Sequence, residues 1–264
     1  MWSDIQFDPK QVDKILRQKC ELLEGQLYLY NKQTFQEMED ARHLHSSLKI
    51  EGNTLTFIQT SMIMRGEIPR GSDIRNQDIL ETLSLSNALS EVRVLVGTVP
   101  FSEDIVKRIH KTCANGHKKV AYCGEYRDIV NYIGDGSYKT TTPNQIPKLM
   151  ARLFIALQNE TNPIIRAAFF SFNYLSIHPF VDFNGRTSRL FECYLLGEGG
   201  YPFISLKESQ IEEYMNLLGE GQRIGKAYFE PYVNFIYQRV EERFEEILSG
   251  VKINKESFDS STRF

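Results

Sequence analysis

Apolar residues recur every three or four positions along most of this chain, and that period predicts helices. Asp8-Pro9 reads as a cap followed by proline at the first helical position, with Val12, Ile15, Leu16, Leu22 and Leu23 behind it at helical spacing. A second helical stretch runs from about residue 26 to residue 51 and stops at Gly52-Asn53. Thr56 is placed to cap a third, which ends before "GEIPRG". Ser72 or Asp73 opens the next, whose Ile79, Leu83, Leu89 and Val92 share one broad face. "SEDIVKRIHKTC", after Pro100-Phe101, is another capped amphipathic helix. "NQIPKLMARLFIALQNE" continues the pattern, and "NPIIRAAFFSFNYLSI" is so apolar that its helix should lie near the centre. Helices at residues 186–196, 207–218 and 228–248 complete the set, and a polar tail is expected to fray.

One segment departs from this period. Residues 121–143, "AYCGEYRDIVNYIGDGSYKTTTP", are rich in Tyr, Val, Ile and Thr and broken at Gly134-Asp135-Gly136. That combination predicts a short β-hairpin, with an irregular loop as the competing reading. The fold class is therefore mainly α, a helical bundle with one small hairpin.

Composition adds exclusions. With 31 basic against 34 acidic residues and a net charge of -3, the chain lacks the basic excess of a general nucleic-acid binder. Its four cysteines are scattered, with no C-x-x-C pair, which points to reduced thiols in a cytoplasmic protein. No apolar stretch is long enough to span a bilayer and no signal peptide is evident, so no membrane role is expected.

The chemistry concentrates in "HPFVDFNGRTSR", residues 178–189. Pro179 disfavours helical geometry before it, so the apolar helix should end at Ile177 or His178. The next helix should begin near Gly185 or Arg186, after the turn-prone Asn184-Gly185 pair, which places Arg186 and Arg189 at its start, three apart on one face. A helix start favours an anion such as phosphate, and Asn184 can add an amide donor. Asp182 is an oxygen ligand suited to Mg²⁺, which binds through one or two carboxylates plus substrate phosphates. His178 can take a proton near neutral pH. Taken singly, each residue has a bland explanation: a core histidine, a turn aspartate, a solvated helix face. Their convergence in one loop favours a Mg²⁺-assisted transfer from a nucleotide to a hydroxyl.

This stretch resembles the signature of the Fic family, H-P-F-x-D/E-G-N-G-R-x-x-R, at all but one specified position. "GEYR" at 124–127, the hairpin and "IPKLMARL" are similar to the region around that family's target-docking flap. The resemblance implies a Fic-type bundle, divided into an N-terminal helical region (1–95), a core domain (96–248) and the tail (249–264). It implies His178 as the base, Asp182 as the Mg²⁺ ligand, Asn184, Gly185 and Arg186 around the α- and β-phosphates of ATP, and Arg189 at the γ-phosphate. It implies AMP transfer to a Ser, Thr or Tyr hydroxyl of a target protein docked on the flap (Tyr132, Ile133, Gly134, Ser137, Tyr138). It places Tyr214 beside adenine, although core packing explains that residue equally well. A homodimer is expected by family analogy alone.

Phe183 is the departure, standing where the pattern has glycine. Left-handed geometry there would cost a phenylalanine roughly 1–2 kcal/mol. Upstream, "SSLKIEGNTLT" (46–56) puts Ser47 and Glu51 one turn apart just before Gly52. Glu at a helix C-terminus is unfavourable unless a cation pairs with it. The stretch resembles the Fic inhibitory motif S/T-x-x-x-E-G/N, which implies that Glu51 pairs with Arg189 and Ser47 supports it. Three readings stay open: a self-inhibited adenylyltransferase, a relative that uses another phosphate donor or removes AMP, and a catalytically weak nucleotide-binding regulator.

Overall fold

The computed structural model describes residues 9–25, 32–71, 73–117, 123–133, 138–224 and 226–261. The helices are α1 (Pro9–Gly25), α2 (Lys32–Ile50), α3 (Phe57–Met64), α4 (Asn76–Leu95), α5 (Glu103–Cys113), α6 (Ile146–Gln158), α7 (Pro163–Ile177), α8 (Asn184–Glu198), α9 (Glu208–Ile224) and α10 (Phe229–Ser261). Between α5 and α6 the strands β1 (Tyr132–Ile133) and β2 (Tyr138–Lys139) pair antiparallel, Tyr132 opposite Lys139 and Ile133 opposite Tyr138. The mainly helical fold with one small hairpin is the one the sequence predicts. No described helix is long and apolar enough to cross a membrane.

Local chemistry explains most boundaries. Thr56 caps α3 in a capping box with Gln59, and Ser102 accepts from the Ile105 N–H at the start of α5. Asn162 accepts from the Ile164 and Ile165 N–H groups, with Pro163 behind it at the first position of α7. Three boundaries differ from the sequence reading. The helix α4 starts at Asn76, with Arg75 as an N-cap that makes no side-chain bond, so Asp73 is not its cap; Ser72 lies outside the described residues. The helix α8 starts at Asn184, one position ahead of the earlier of the two expected starts, Gly185 and Arg186. The fray expected of the tail from Val251 is instead helix as far as Ser261.

The apolar α7 is central, packed by α6, α8, α9 and α10. Phe101 pegs this core from the α4–α5 loop, its ring meeting Phe154, Phe170, Phe191 and Tyr194 at centroid separations of 4.8–5.8 Å. Packing of α7 against α8 brings the His178 end of one helix to the Asn184 start of the other. The hairpin is too short to stand alone. It is tied at its base, where Thr140 donates from N–H and Oγ1 to the Asn131 carbonyl and Asn131 Nδ2 donates to the Val181 carbonyl at 2.9 Å.

Candidate active site

His178 closes α7 in left-handed geometry (φ 53°), and its N–H donates to the Tyr174 carbonyl at 2.8 Å. Its Nδ1 is enclosed with no hydrogen-bond partner among the described residues. Burial, reinforced by the nearby Arg127 cation, pushes its pKa down to about 4, against the pull of the Leu175 carbonyl, Asp182 and Glu51. The ring is therefore uncharged at neutral pH, as a proton acceptor must be.

The loop after His178 is held from three sides. Arg127, which is 2% exposed, donates from Nε to the His178 carbonyl (2.8 Å), from Nη1 to Ile129 O (2.7 Å) and from Nη2 to Thr141 O (2.6 Å). It thus fastens the end of α7 to both flanks of the hairpin. His110, on α5, lies flat on Phe180 with ring centroids 3.7 Å apart. It accepts from the Gly124 N–H at Nδ1 and donates from Nε2 to the Asp182 carbonyl, each at 3.0 Å. Burial pushes its pKa down to about 4, which keeps Nδ1 available as that acceptor. Asn184 is the third tie: its Nδ2 donates to Phe180 O at 2.9 Å and its Oδ1 accepts from the Phe180 N–H at 3.0 Å. Asn184 thus spends its amide oxygen and one of its two N–H donors on the loop.

Phe183 adopts the left-handed geometry anticipated for its position, with φ 63°, as the N-cap of α8. Its ring is buried, edge-on to His117 at 5.0 Å and flat under the Arg186 guanidinium at 3.7 Å. The first turn of α8 follows directly. There the first intrahelical bond is Thr187 N–H to Phe183 O, so the N–H groups of Asn184, Gly185 and Arg186 precede the ladder.

A carboxylate already stands over that turn. A Cβ on Gly185 would lie 2.4 Å from Glu51 Oε1, so only glycine admits this approach. Glu51 reaches it because Gly52, at φ 82°, ends α2 there. The same Oε1 accepts from Arg189 Nη2 at 2.7 Å. Arg189 also donates from Nε to Ser47 Oγ (2.8 Å) and from Nη2 to Ser47 O (2.9 Å). Burial opposes the Arg189 charge, but Glu51 outweighs it and keeps the guanidinium firmly protonated. The pairing of Glu51, Ser47 and Arg189 expected from the inhibitory motif is thus present as geometry.

Two further expectations change. Arg186 is 5% exposed and faces carboxylates, donating from Nη1 to Glu81 Oε2 on α4 (3.0 Å) and from Nη2 to Asp182 Oδ1 (3.2 Å). Both of its terminal nitrogens are thus taken up by carboxylates. Tyr214 is 1% exposed and packs between Tyr232 and Phe235, so it offers no face to a nucleobase. Of the flap residues, Tyr132 is 56% exposed and Ile133 is partly buried, whereas Gly134 and Ser137 lie outside the described residues, as does the Tyr138 side chain.

Asp182 also accepts from the Phe183 N–H at 2.7 Å, and its side chain is 35% exposed. No group of three or more His, Cys, Asp or Glu residues among those described could hold a metal alone. A single accessible carboxylate beside an anion seat fits Mg²⁺, which takes its remaining ligands from phosphates and water.

Glu81, His110 and Arg127 were not singled out by the sequence reading. His110 left a trace, a polar residue on the otherwise apolar face of Ile105, Val106, Ile109 and Cys113. Glu81 left none, because Arg186 is remote in sequence, whereas Arg127 closes the "GEYR" stretch but its ties to His178 and Thr141 could not be read from it.

The fold is thus a helical bundle whose loop-to-helix junction holds the Glu51 carboxylate over the first turn of α8, near His178. Residues 100–196 match the Fic/DOC family model, and the chain carries a Fic domain. It is 29% identical over 201 residues to the protein adenylyltransferase Fic of Drosophila grimshawi, and 30% identical to that of Drosophila melanogaster, each covering 74% of this chain. The chain spans about two fifths of the length of these curated relatives (40% and 39%). Its fold matches a Fic domain containing signaling protein from Bacteroides thetaiotaomicron (TM-score 0.75, 21% identity, 90% of this chain and 97% of that one). It also matches Fic-1 of C. elegans, residues 134–508 (TM-score 0.76, 21% identity, 91% and 71%).

Proposed function

We propose that this chain transfers AMP from ATP to a hydroxyl side chain of a protein, and that Glu51 restrains the reaction. One observation carries the reading: the Glu51 carboxylate lies over Gly185 and is bonded to Arg189 beside the neutral His178. That carboxylate stands in for a phosphate oxygen at a helix start.

The chain's own residues supply the steps. Displacement of Glu51 leaves Arg189 and the α8 amides to receive the polyphosphate. Asp182 would hold Mg²⁺, which supplies charge neutralisation of the phosphates. The hydroxyl oxygen attacks the α-phosphorus, His178 Nε2 takes the hydroxyl proton, and the bond from the α-phosphorus to the bridging oxygen breaks so that pyrophosphate leaves. The exposed Tyr132 edge of the hairpin supports docking of an extended target segment as an added strand. Its tie to the His178 loop through Arg127 would carry that segment to the base.

Intact-mass analysis after incubation with ATP and Mg²⁺ tests the reading. Glu51→Gly should gain one or more AMP masses, at least about tenfold faster than the unsubstituted protein, the size of one charge-assisted contact. His178→Ala in the same background should gain none. ATP binding without any covalent gain in Glu51→Gly would favour the nucleotide-binding regulator, which the committed Arg186 side chain supports.

A further inference from the structure

Arg186 differs from Arg189 in what holds it. Arg189 is bonded to a carboxylate at the very end of α2, next to Gly52. Arg186 is bonded to Glu81 in the interior of α4, the helix that packs against α2, α3, α5 and α8. Both Glu81 oxygens are engaged: Oε2 by Arg186 Nη1 and Oε1 by Gln77 Nε2, each at 3.0 Å. Gln77 lies one turn back on α4, so the carboxylate is aimed by its own helix. Asp182 takes Nη2, and the Phe183 ring lies flat under the guanidinium. The remaining nitrogen, Nε, is enclosed with no partner among the described residues. The side chain is thus pinned at two corners and along one face.

We propose that Glu81 is a positioning residue that holds the Arg186 side chain out of the anion seat, leaving Arg189 as the guanidinium that grips the donor's phosphates. This inference rests on the nucleotide reading given above. Glu81 is not an element of the Glu51 restraint, since it bonds a different arginine from a different helix and would remain after Glu51 is displaced. Phe183 belongs to the same device: a glycine at that position would leave the under face of the guanidinium without its stacked ring. If Glu81 loses its charge, Nη1 loses its strongest acceptor in a nearly closed site, and the nearest unmatched anion is a phosphate on the first turn of α8.

The test is ATP affinity by calorimetry in the full chain, in EDTA so that Asp182 carries no metal, with Glu51→Gly as the reference. Adding Glu81→Gln should tighten ATP about tenfold, the size of one charge-assisted hydrogen bond. Adding Arg186→Gln as well should abolish the gain. Unchanged or weaker binding in Glu81→Gln, with unaltered melting, would overturn the proposal, because Glu81 would then be supporting an arginine already on the phosphates. Should Glu81→Gln fail to fold, Arg186→Gln in the reference background decides: ATP affinity within about twofold supports the proposal, and a tenfold loss overturns it. No ATP binding by the reference protein at all would remove the nucleotide reading, and this inference with it.

Discussion

Phe183 sits at φ 63°, a conformation that costs a non-glycine residue roughly 1–2 kcal/mol. Burial of its ring against His117 and Arg186 offsets that cost, since truncating a buried phenylalanine typically loses about 3–5 kcal/mol. Phe183→Gly should therefore lower stability by about 2 kcal/mol in urea unfolding, the packing loss outweighing the relieved strain. No loss would show that the ring contributes nothing. The turn itself was legible, because Asn184-Gly185 marks it and Pro179 stops the helix before it. Where the ring goes was not, since His117 is remote in sequence. His178 carries a second residue-scale expectation. With its pKa near 4 through burial and Arg127, it stays uncharged well below neutrality. For Glu51→Gly, kcat/KM for AMP transfer should stay level from pH 8 to about 5 and fall only as pH drops through about 4. An acid limb near 6.5, the ordinary histidine value, would contradict the burial argument.

At the scale of elements, the end of α2 is fixed by α4. Asp78 accepts from Thr54 Oγ1 (2.6 Å), Thr54 N–H (3.1 Å) and Arg75 Nη2 (2.8 Å), and Arg75 Nη2 also reaches the Gly52 carbonyl at 3.0 Å. Burial alone would raise the Asp78 carboxyl, but Arg75 and Thr54 outweigh it and hold it below the usual carboxylate range. This junction sets where Glu51 stands, so Asp78→Ala should weaken the restraint without removing the carboxylate. ATP-dependent self-labelling is expected to rise about two- to fivefold, less than in Glu51→Gly, because the lost hydrogen bonds are worth about 1 kcal/mol to the position of α2. A rate equal to that of the unsubstituted protein would show that α2 is held by its packing alone. The Ser47–Glu51 spacing and the stop at Gly52 could be read directly from the chain. The Asp78 junction could not, because Thr54 and Asp78 are 24 positions apart. The start of α4 was misread for a related reason: Asp73 looks like a cap, whereas the aspartate that matters lies inside the first turn at Asp78.

For the whole molecule, period alone gave the bundle: α5, α6 and α7 lie where their apolar spacing put them, and Pro163 and Thr56 mark real starts. What period could not give is which polar residues the bundle buries, since that depends on packing between helices. Two of those are histidines, His43 and His110, and His178 is largely enclosed as well. Burial pushes His43, His110 and His178 each down to about 4, from 6.5 when unfolded. A histidine whose folded pKa is depressed contributes stability that is full above the unfolded value and is lost as pH falls toward the folded one. Glu192 runs the other way. Burial lifts its carboxyl from 4.5 to about 7, so the folded state keeps a proton that the unfolded state releases, and its contribution fades as pH rises through 7. Between about pH 6.5 and 4.5 the unfolded chain therefore binds a net two more protons at these four groups. Each proton changes stability by about 1.4 kcal/mol per pH unit, so unfolding free energy should fall by roughly 3 kcal/mol per unit at its steepest. Urea titrations at pH 7, 6 and 5 would show this, and His43→Phe, which removes one proton from the uptake, should roughly halve the slope. Stability that stays level across that range would mean that these rings are charged, or open to water, in the folded protein. An imidazolium at His178 could not accept a hydroxyl proton, so a level profile would count against the proposed base as well as against the buried core.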